Sequence, residues 1–388
     1  MSAPGAGERL RIALVIEDVN LRGGQERVIG ELAPRLARRH DVDLVCHTVA
    51  DIPLEGIRVR RVPDVRAPLG LRALWFALAS SLMVRPRRYD VVLSQGGNTL
   101  VQSHALIHTC HRDRHRVRAE IERRWRLKGP LRRSWEALRD GLFAGLERRA
   151  VRRCRGRVIA VSEDLKRYLV REYGLDGAEV HVAPSGVDHD LFHPGLAAEH
   201  RARVRARLGL AEESFVALFM GGLWYEKGLP EIIEAVGMTE QPVWLVVAGS
   251  GDEERFRAMA EEAGAGERVT FAGHVSDPEA WYAMADCLVH APVVEPFGLV
   301  MLEAAACGLP VLATPAGVAL DLIEDDTVGM FIERRPEDIA RKLDMLARDP
   351  QLRARMSEEM HRRSLQFSWG RQAEQIERVM LATREAAR

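Results

Sequence analysis

Nine residues in the second half of the chain have the types and spacing to hold a diphosphate together with the groups on either side of it: Glu295-Pro296-Phe297-Gly298-Leu299-Val300-Met301-Leu302-Glu303. They follow an apolar run ending near His290 and precede Ala304-Ala305-Ala306-Cys307-Gly308-Leu309-Pro310. The pattern predicts a strand, a turn and a helix over Phe297–Cys307, with Pro296 at the first helical position. The free amides of Phe297, Gly298 and Leu299 at such a helix start, aided by the helix dipole, favour an anion. Gly298 allows close backbone approach. Glu295 and Glu303 would stand roughly 12 Å apart at a helical rise of ~1.5 Å per residue. One carboxylate then reaches sugar hydroxyls and the other ribose hydroxyls, with a diphosphate between them.

Other residues fit the same chemistry. Lys227 follows the Val216–Met220 run and is placed to neutralise a diphosphate leaving group as charge develops. Gly23 and Gly24 sit at the end of the first strand, where a backbone without Cβ can approach phosphate or sugar. In His104-Ala105-Leu106-Ile107-His108-Thr109-Cys110-His111 three histidines surround the end of a short strand, and each can serve as a polar cleft residue. No carboxylate is spaced to make them a metal site. Asp188-His189-Asp190 forms a DxD in a turn-rich linker, so no metal is expected there. Five scattered cysteines without a CxxC speak against a disulfide framework or a zinc site and fit a reducing cytosol.

These residues need a frame, and the chain supplies it as alternating strands and helices. Leu10–Ile16, Val42–Thr48, Asp90–Ser94, Ala105–Thr109, Arg157–Ser162 and Val180–Val182 read as strands, with an amphipathic helix at Gln25–Arg39. The grammar repeats at Val216–Met220, Val243–Ala248, Val269–Ala272, Asp286–His290, Pro310–Thr314 and Gly329–Ile332. Alternation of this kind implies parallel sheets with helices on both faces and ligand crevices at the strand carboxyl ends. A chain of 388 residues exceeds one ordinary core, so two domains are expected. Ala183-Pro184-Ser185-Gly186-Val187-Asp188, continuing to Phe192-His193-Pro194, is the linker.

The longest apolar stretch, Ala73–Val84, is too short to span a bilayer and reads as a buried helix. No secretory signal is expected at the first strand. Net charge is zero but polarised: up to Asp188 there are 35 Lys and Arg against 23 Asp and Glu, and the remainder is acidic by the same margin. The basic excess concentrates between His111 and Arg157, including Arg112, Arg123, Arg124, Arg126, Arg132 and Arg133. Such a stretch is either a solvated helical face or an attractor of anionic lipid, nucleic acid or phosphorylated acceptors.

With these motifs quoted, the chain resembles the retaining glycosyltransferases of family 4, with the GT-B fold of two Rossmann-like parallel-sheet domains facing across a cleft. The resemblance covers essentially the whole chain. Gly23-Gly24-Gln25-Glu26-Arg27, the linker, Glu226-Lys227-Gly228, Ala248-Gly249-Ser250-Gly251, Val269-Thr270-Phe271-Ala272-Gly273 and Phe367-Ser368-Trp369 are similar to its signatures. It implies an N-terminal acceptor-side domain, 1–185, completed by a C-terminal helix at 370–386, and a nucleotide-sugar domain, 186–369. It implies His108 and Glu295 as catalytic residues and Gly23, Gly24, Lys227, Phe297, Gly298, Leu299 and Glu303 as donor-binding ones. It further implies metal-independent transfer with retention and no covalent intermediate. The expected donor is a UDP-sugar, with GDP-mannose next; the expected acceptor is a glycan, a lipid-linked or a lipopolysaccharide-type molecule. The expected location is the cytoplasm, peripheral at the inner face of the plasma membrane.

Two departures stand out. Gly221-Gly222-Leu223 lacks the arginine that many relatives carry, and Ala316-Gly317 replaces a double glycine. The first makes the chain look closer to the lipopolysaccharide-core glucosyltransferase branch. Two other readings remain: a nucleotide-sugar epimerase on the same fold, which the Glu295-to-Glu303 block speaks against, and a basic nucleic-acid-binding protein, for which no recognition module is present.

Overall fold

The computed structural model describes residues 9–21, 23–125 and 129–385, which leaves Arg126 and position 386 outside the described residues. The chain forms two compact units, Met1–Ser185 with Trp369–Arg388 and Gly186–Ser368. Trp369 thus falls in the first unit, one residue earlier than the sequence boundary placed it.

In the first unit the strands are β1 (Arg11–Val15), β2 (Asp18–Val19), β3 (Asp41–Cys46), β4 (Thr48–Val49), β5 (Ile57–Arg61), β6 (Val91–Gln95), β7 (His104–Ile107), β8 (Val158–Ala160) and β9 (Val180–Val182). Seven make a parallel sheet in the order β5-β3-β1-β6-β7-β8-β9, while β2 and β4 pair separately. The run Ile12-Ala13-Leu14-Val15 is wholly buried, as a central strand covered on both faces must be. Helix Gly24–Ala37 buries Val28, Ile29, Leu32 and Leu36 and packs against the last helix, Trp369–Glu385. That last helix is tied into the unit by Glu377, whose carboxylate meets His40 Nε2 at 2.8 Å and Arg39 Nη2 at 2.6 Å.

The expected buried helix around Ala73–Val84 is real but longer, Leu69–Met83, and only half buried. Phe76, Ala77 and Ser80 face the core, whereas Leu71, Trp75, Leu78 and Leu82 are exposed, Leu82 by 84%. Their i, i+4, i+7, i+11 spacing puts them on one face. An apolar composition reports that a helix wants cover; it does not report which side receives it.

The second unit has β10 (Phe215–Met220), β11 (Val243–Ala248), β12 (Val269–Gly273), β13 (Cys287–His290), β14 (Val311–Ala313) and β15 (Met330–Phe331) in the parallel order β12-β11-β10-β13-β14-β15. Phe219, Leu245, Val247, Val289 and Leu312 are central to its core. In both sheets the strand order reverses once, between β1 and β6 and between β10 and β13, while every strand stays parallel. The loops leaving those strand ends diverge and leave a crevice between them.

Candidate active site

In the second unit, β10 delivers the loop Gly221–Gly228 and β13 delivers Ala291–Gly298, so the switch point brings two distant segments together. The result is an ion pair: Lys227 Nζ holds Glu295 Oε2. The side chains are 20% and 10% exposed, which makes this a half-sheltered pair. Burial works to raise the Glu295 carboxyl, but Lys227 and the neighbouring His290 outweigh it and hold it at about 2.

The segment after Glu295 differs from expectation. The helix is Leu299–Ala306, not Phe297–Cys307, and its N-cap is Gly298 in the left-handed region, φ 92°. Pro296 therefore lies in the approach loop and Phe297 is not helical. A Cβ on Gly298 would meet chiefly the movable end of the Met301 side chain, so it is the left-handed backbone that makes the turn require glycine. Met301 N and Leu302 N already donate to the Gly298 carbonyl at 3.0 and 3.3 Å, which leaves the amides of Leu299 and Val300 at the head of the helix. The ~12 Å separation no longer follows from helical rise, because the first half of the Glu295-to-Glu303 spacing is loop.

Gly317 secures that loop from beneath. Its Cβ, if present, would sit 2.3 Å from the Phe297 carbonyl, and Val318 N donates to that carbonyl at 2.6 Å. Of the two positions where a double glycine was expected, the surviving glycine is the one the packing needs. Phe297 turns inward, 5% exposed, against Phe367 at a ring-centroid distance of 6.4 Å. Glu303, one turn into the helix, is 7% exposed and accepts a hydrogen bond from Tyr282 at 2.8 Å. Arg334 braces the Lys227 loop, donating to the carbonyls of Tyr225 at 2.5 Å and Glu226 at 3.4 Å. Where the sequence lacks an arginine, Leu223 adopts φ 55° and is 48% exposed, a conformation unusual for a bulky residue.

In the first unit a cleft of about 460 Å³ opens at the β1/β6 switch point. Glu17 and Asp18 follow β1, Gln95 to Asn98 leave β6, and His108 and Thr109 follow β7; all line it. His108 is 8% exposed, with its Nε2 buried and without a hydrogen-bond partner among the described residues. Burial drives its imidazole down to about 3, so the ring is neutral. The alternative histidines differ. His104 faces away, bonded to Ser103 at 2.9 Å and Thr383 at 2.8 Å. His111 lines the cleft but stacks on Phe143, and its Nε2 is 3.9 Å from Glu147. Thr109 and Tyr173 donate to Glu147 at 2.7 and 2.5 Å, yet burial raises that carboxyl to about 7.

Gly23 and Gly24 are not at the end of β1. They follow β2 and open helix Gly24–Ala37, and Gln25 and Glu26 are the residues of this turn that line the cleft. Among the described residues no group of three or more His, Cys, Asp or Glu is arranged to hold a metal ion.

Family models complete the picture. The model described as Glycosyltransferase Family 4 matches residues 22–191, and the one described as Glycosyl transferases group 1 matches 200–363, together most of the chain. This chain belongs to glycosyltransferase family 4. A D-inositol 3-phosphate glycosyltransferase from Xylanimonas cellulosilytica is 34% identical over 222 residues, covering 55% of this chain and 53% of that protein. The chain spans about half the length of the first curated relatives it matches. Among solved structures, WaaG, a glycosyltransferase involved in lipopolysaccharide biosynthesis, superposes with TM-score 0.76 at 20% identity, covering 94% of this chain and 97% of its own. Anabaena HepE, solved with UDP and glucose, superposes with TM-score 0.72 at 22% identity, covering 96% and 100%. At those identities the likeness concerns the fold, which is GT-B.

The motifs legible in sequence thus fall into two groups. Lys227, Glu295, Gly298, Leu299 and Glu303 cluster in the second unit, and His108 lines a cleft in the first. His290, Arg334 and Tyr282 carry no mark in the sequence. A histidine in an apolar strand, or an arginine after one, carries no spacing that marks it.

Proposed function

We propose that this glycosyltransferase moves a hexose from a nucleoside-diphosphate sugar, a UDP-sugar before GDP-mannose, to a glycan, lipid-linked or lipopolysaccharide-type acceptor, with retention of anomeric configuration. The observation that carries the donor reading is the meeting of Lys227 and Glu295 at the β10/β13 switch point, directly before a helix start headed by Gly298. Lys227 and the helix amides hold the diphosphate and stabilise it as charge develops on departure. Glu295 binds sugar hydroxyls and Glu303 the ribose, and neutral His108 is the catalytic candidate of the first unit's cleft. The Gly23–Gly24 turn serves by setting Gln25 and Glu26 into the first unit's cleft. The acceptor hydroxyl attacks from the face the diphosphate leaves, through an oxocarbenium-like state, and positioning supplies most of the acceleration. The cation and amides provide the positive field, so the reaction proceeds without a metal. The UDP and glucose in the HepE structure support the donor class.

We infer, too, that the first unit meets the inner, anionic membrane surface. The exposed Leu71, Trp75, Leu78 and Leu82 lie on a helix packed against Pro130–Arg153, which exposes Trp135, Leu138, Arg132 and Arg133. Apolar residues beside arginines suit a lipid interface. Several other arginines are spent on neighbours, such as Arg112 and Arg116 on Glu172 and Arg118 on Asp140. Among the described residues no helix is long and apolar enough to cross a membrane.

A screen of UDP-, GDP- and ADP-sugars tests the main reading, with product configuration followed by NMR. A UDP-sugar giving a product of unchanged anomeric configuration is expected. An inverted product, or free sugar released as the sole product from every donor and acceptor mixture, would sink it.

A further inference from the structure

One group at the donor site has no role in the chemistry above. His290 ends β13 with 0% exposure. Its Nε2 lies 3.5 Å from the same Glu295 oxygen that Lys227 holds. Neither ring nitrogen has a hydrogen-bond partner among the described residues. The ring meets Phe219 of β10 at 5.8 Å between centroids, and the charged groups around it are Glu295 and Lys227. An unpaired buried polar group is costly, and an apolar side chain would fill this strand position without that cost.

The donor reading makes the placement intelligible. If Lys227 serves the diphosphate and Glu295 the sugar, their ion pair has to open when donor enters. Glu295, 10% exposed, then loses its cation. Stripping one partner from a sheltered pair is strongly unfavourable. We propose that His290 is a positioning residue that takes over Glu295 when the diphosphate draws Lys227 away. The Nε2–H turns onto Oε2, and the ring takes a proton from solvent as it does so. The carboxylate stays aimed at the sugar while the lysine changes partner. This rests on the donor reading above, but its test does not need donor.

The test is histidine NMR on the full chain, with the His290 resonance assigned by its loss in His290→Leu. Burial holds this imidazole below its ordinary range, so in the free wild-type protein its midpoint should lie below that of an ordinary imidazole. Lys227→Met mimics the departed lysine. Its His290 midpoint should rise by one pH unit or more, and adding Glu295→Gln should cancel the rise. Lys227→Gln gives the same comparison if the methionine variant does not fold. An unchanged midpoint in the folded lysine variant overturns the proposal, because a ring that merely packs against Phe219 would not respond. UDP added to the wild type should raise the midpoint as well. If UDP binds and the midpoint stays put, the proposal fails alone. If UDP does not bind, the donor reading fails, and the lysine variants still decide the role of His290.

Discussion

At the residue scale, the two glutamates are expected to fail in different ways. Glu303 sits one turn into the helix with Tyr282 on one oxygen, while Glu295 stands before the helix beside Lys227. Glu303→Gln should weaken binding of free UDP at least fivefold in calorimetry. Glu295→Gln should not weaken UDP binding, because it frees Lys227, and should lower turnover a hundredfold or more, since a hydrogen-bonding contact strongest in the transition state acts on kcat. Unchanged UDP affinity in Glu303→Gln removes its ribose assignment. His108 gives a pH signature. Its folded value is about 3, against ~6.5 when unfolded. Its contribution is intact above the unfolded value and is lost as pH falls toward the folded one, because the unfolded chain then binds the extra proton. His104 and His111, both lowered to about 4, act with the same sign. Glu147, raised to about 7, acts with the opposite sign, but three histidines outweigh one carboxyl: urea unfolding followed in the first unit should lose stability between pH 7 and pH 5, and His108→Gln should lose less over that interval. Equal losses would mean that the ring is more open to water than its burial indicates.

At the element scale, most of the frame was legible because burial on both faces leaves a plain mark. Val243-Trp244-Leu245-Val246-Val247-Ala248 was read to the residue, and the strands flanking Lys227 and Glu295 were placed to within a residue at each end. The misplaced helix start at Pro296 has a physical reason: proline suits a first turn, but here a left-handed glycine, pinned over Gly317, sets the start. His290 was invisible, since only the fold shows that its neighbour across space is Glu295. The exposed face of Leu69–Met83 was equally hidden. That helix and Pro130–Arg153 carry the membrane prediction. Each lysine or arginine near an anionic surface contributes ~1 kcal/mol, screened by salt. The protein should co-sediment with vesicles rich in anionic lipid and less as salt rises. Both Leu78→Ser with Leu82→Ser and the replacement of Arg132 and Arg133 by Glu should weaken binding. Equal partition onto neutral vesicles, or none onto either, would leave these helices as plain surface.

At the scale of the molecule, the strand order of each parallel sheet reverses once, and each reversal carries its own set of residues: a polar cleft with His108 in one unit, a cation and carboxylate ahead of a helix in the other. Lys227 and the helix amides are asked to stabilise a departing diphosphate with no metal to help. The most direct measurement is release of nucleoside diphosphate from a UDP-sugar in excess EDTA, in the wild type and in Lys227→Met. The account predicts full release in chelator and a loss of a hundredfold or more in the variant, equivalent to about 2.7 kcal/mol of transition-state stabilisation. Release that vanishes in EDTA and returns with magnesium or manganese, or that survives intact in Lys227→Met, would contradict it.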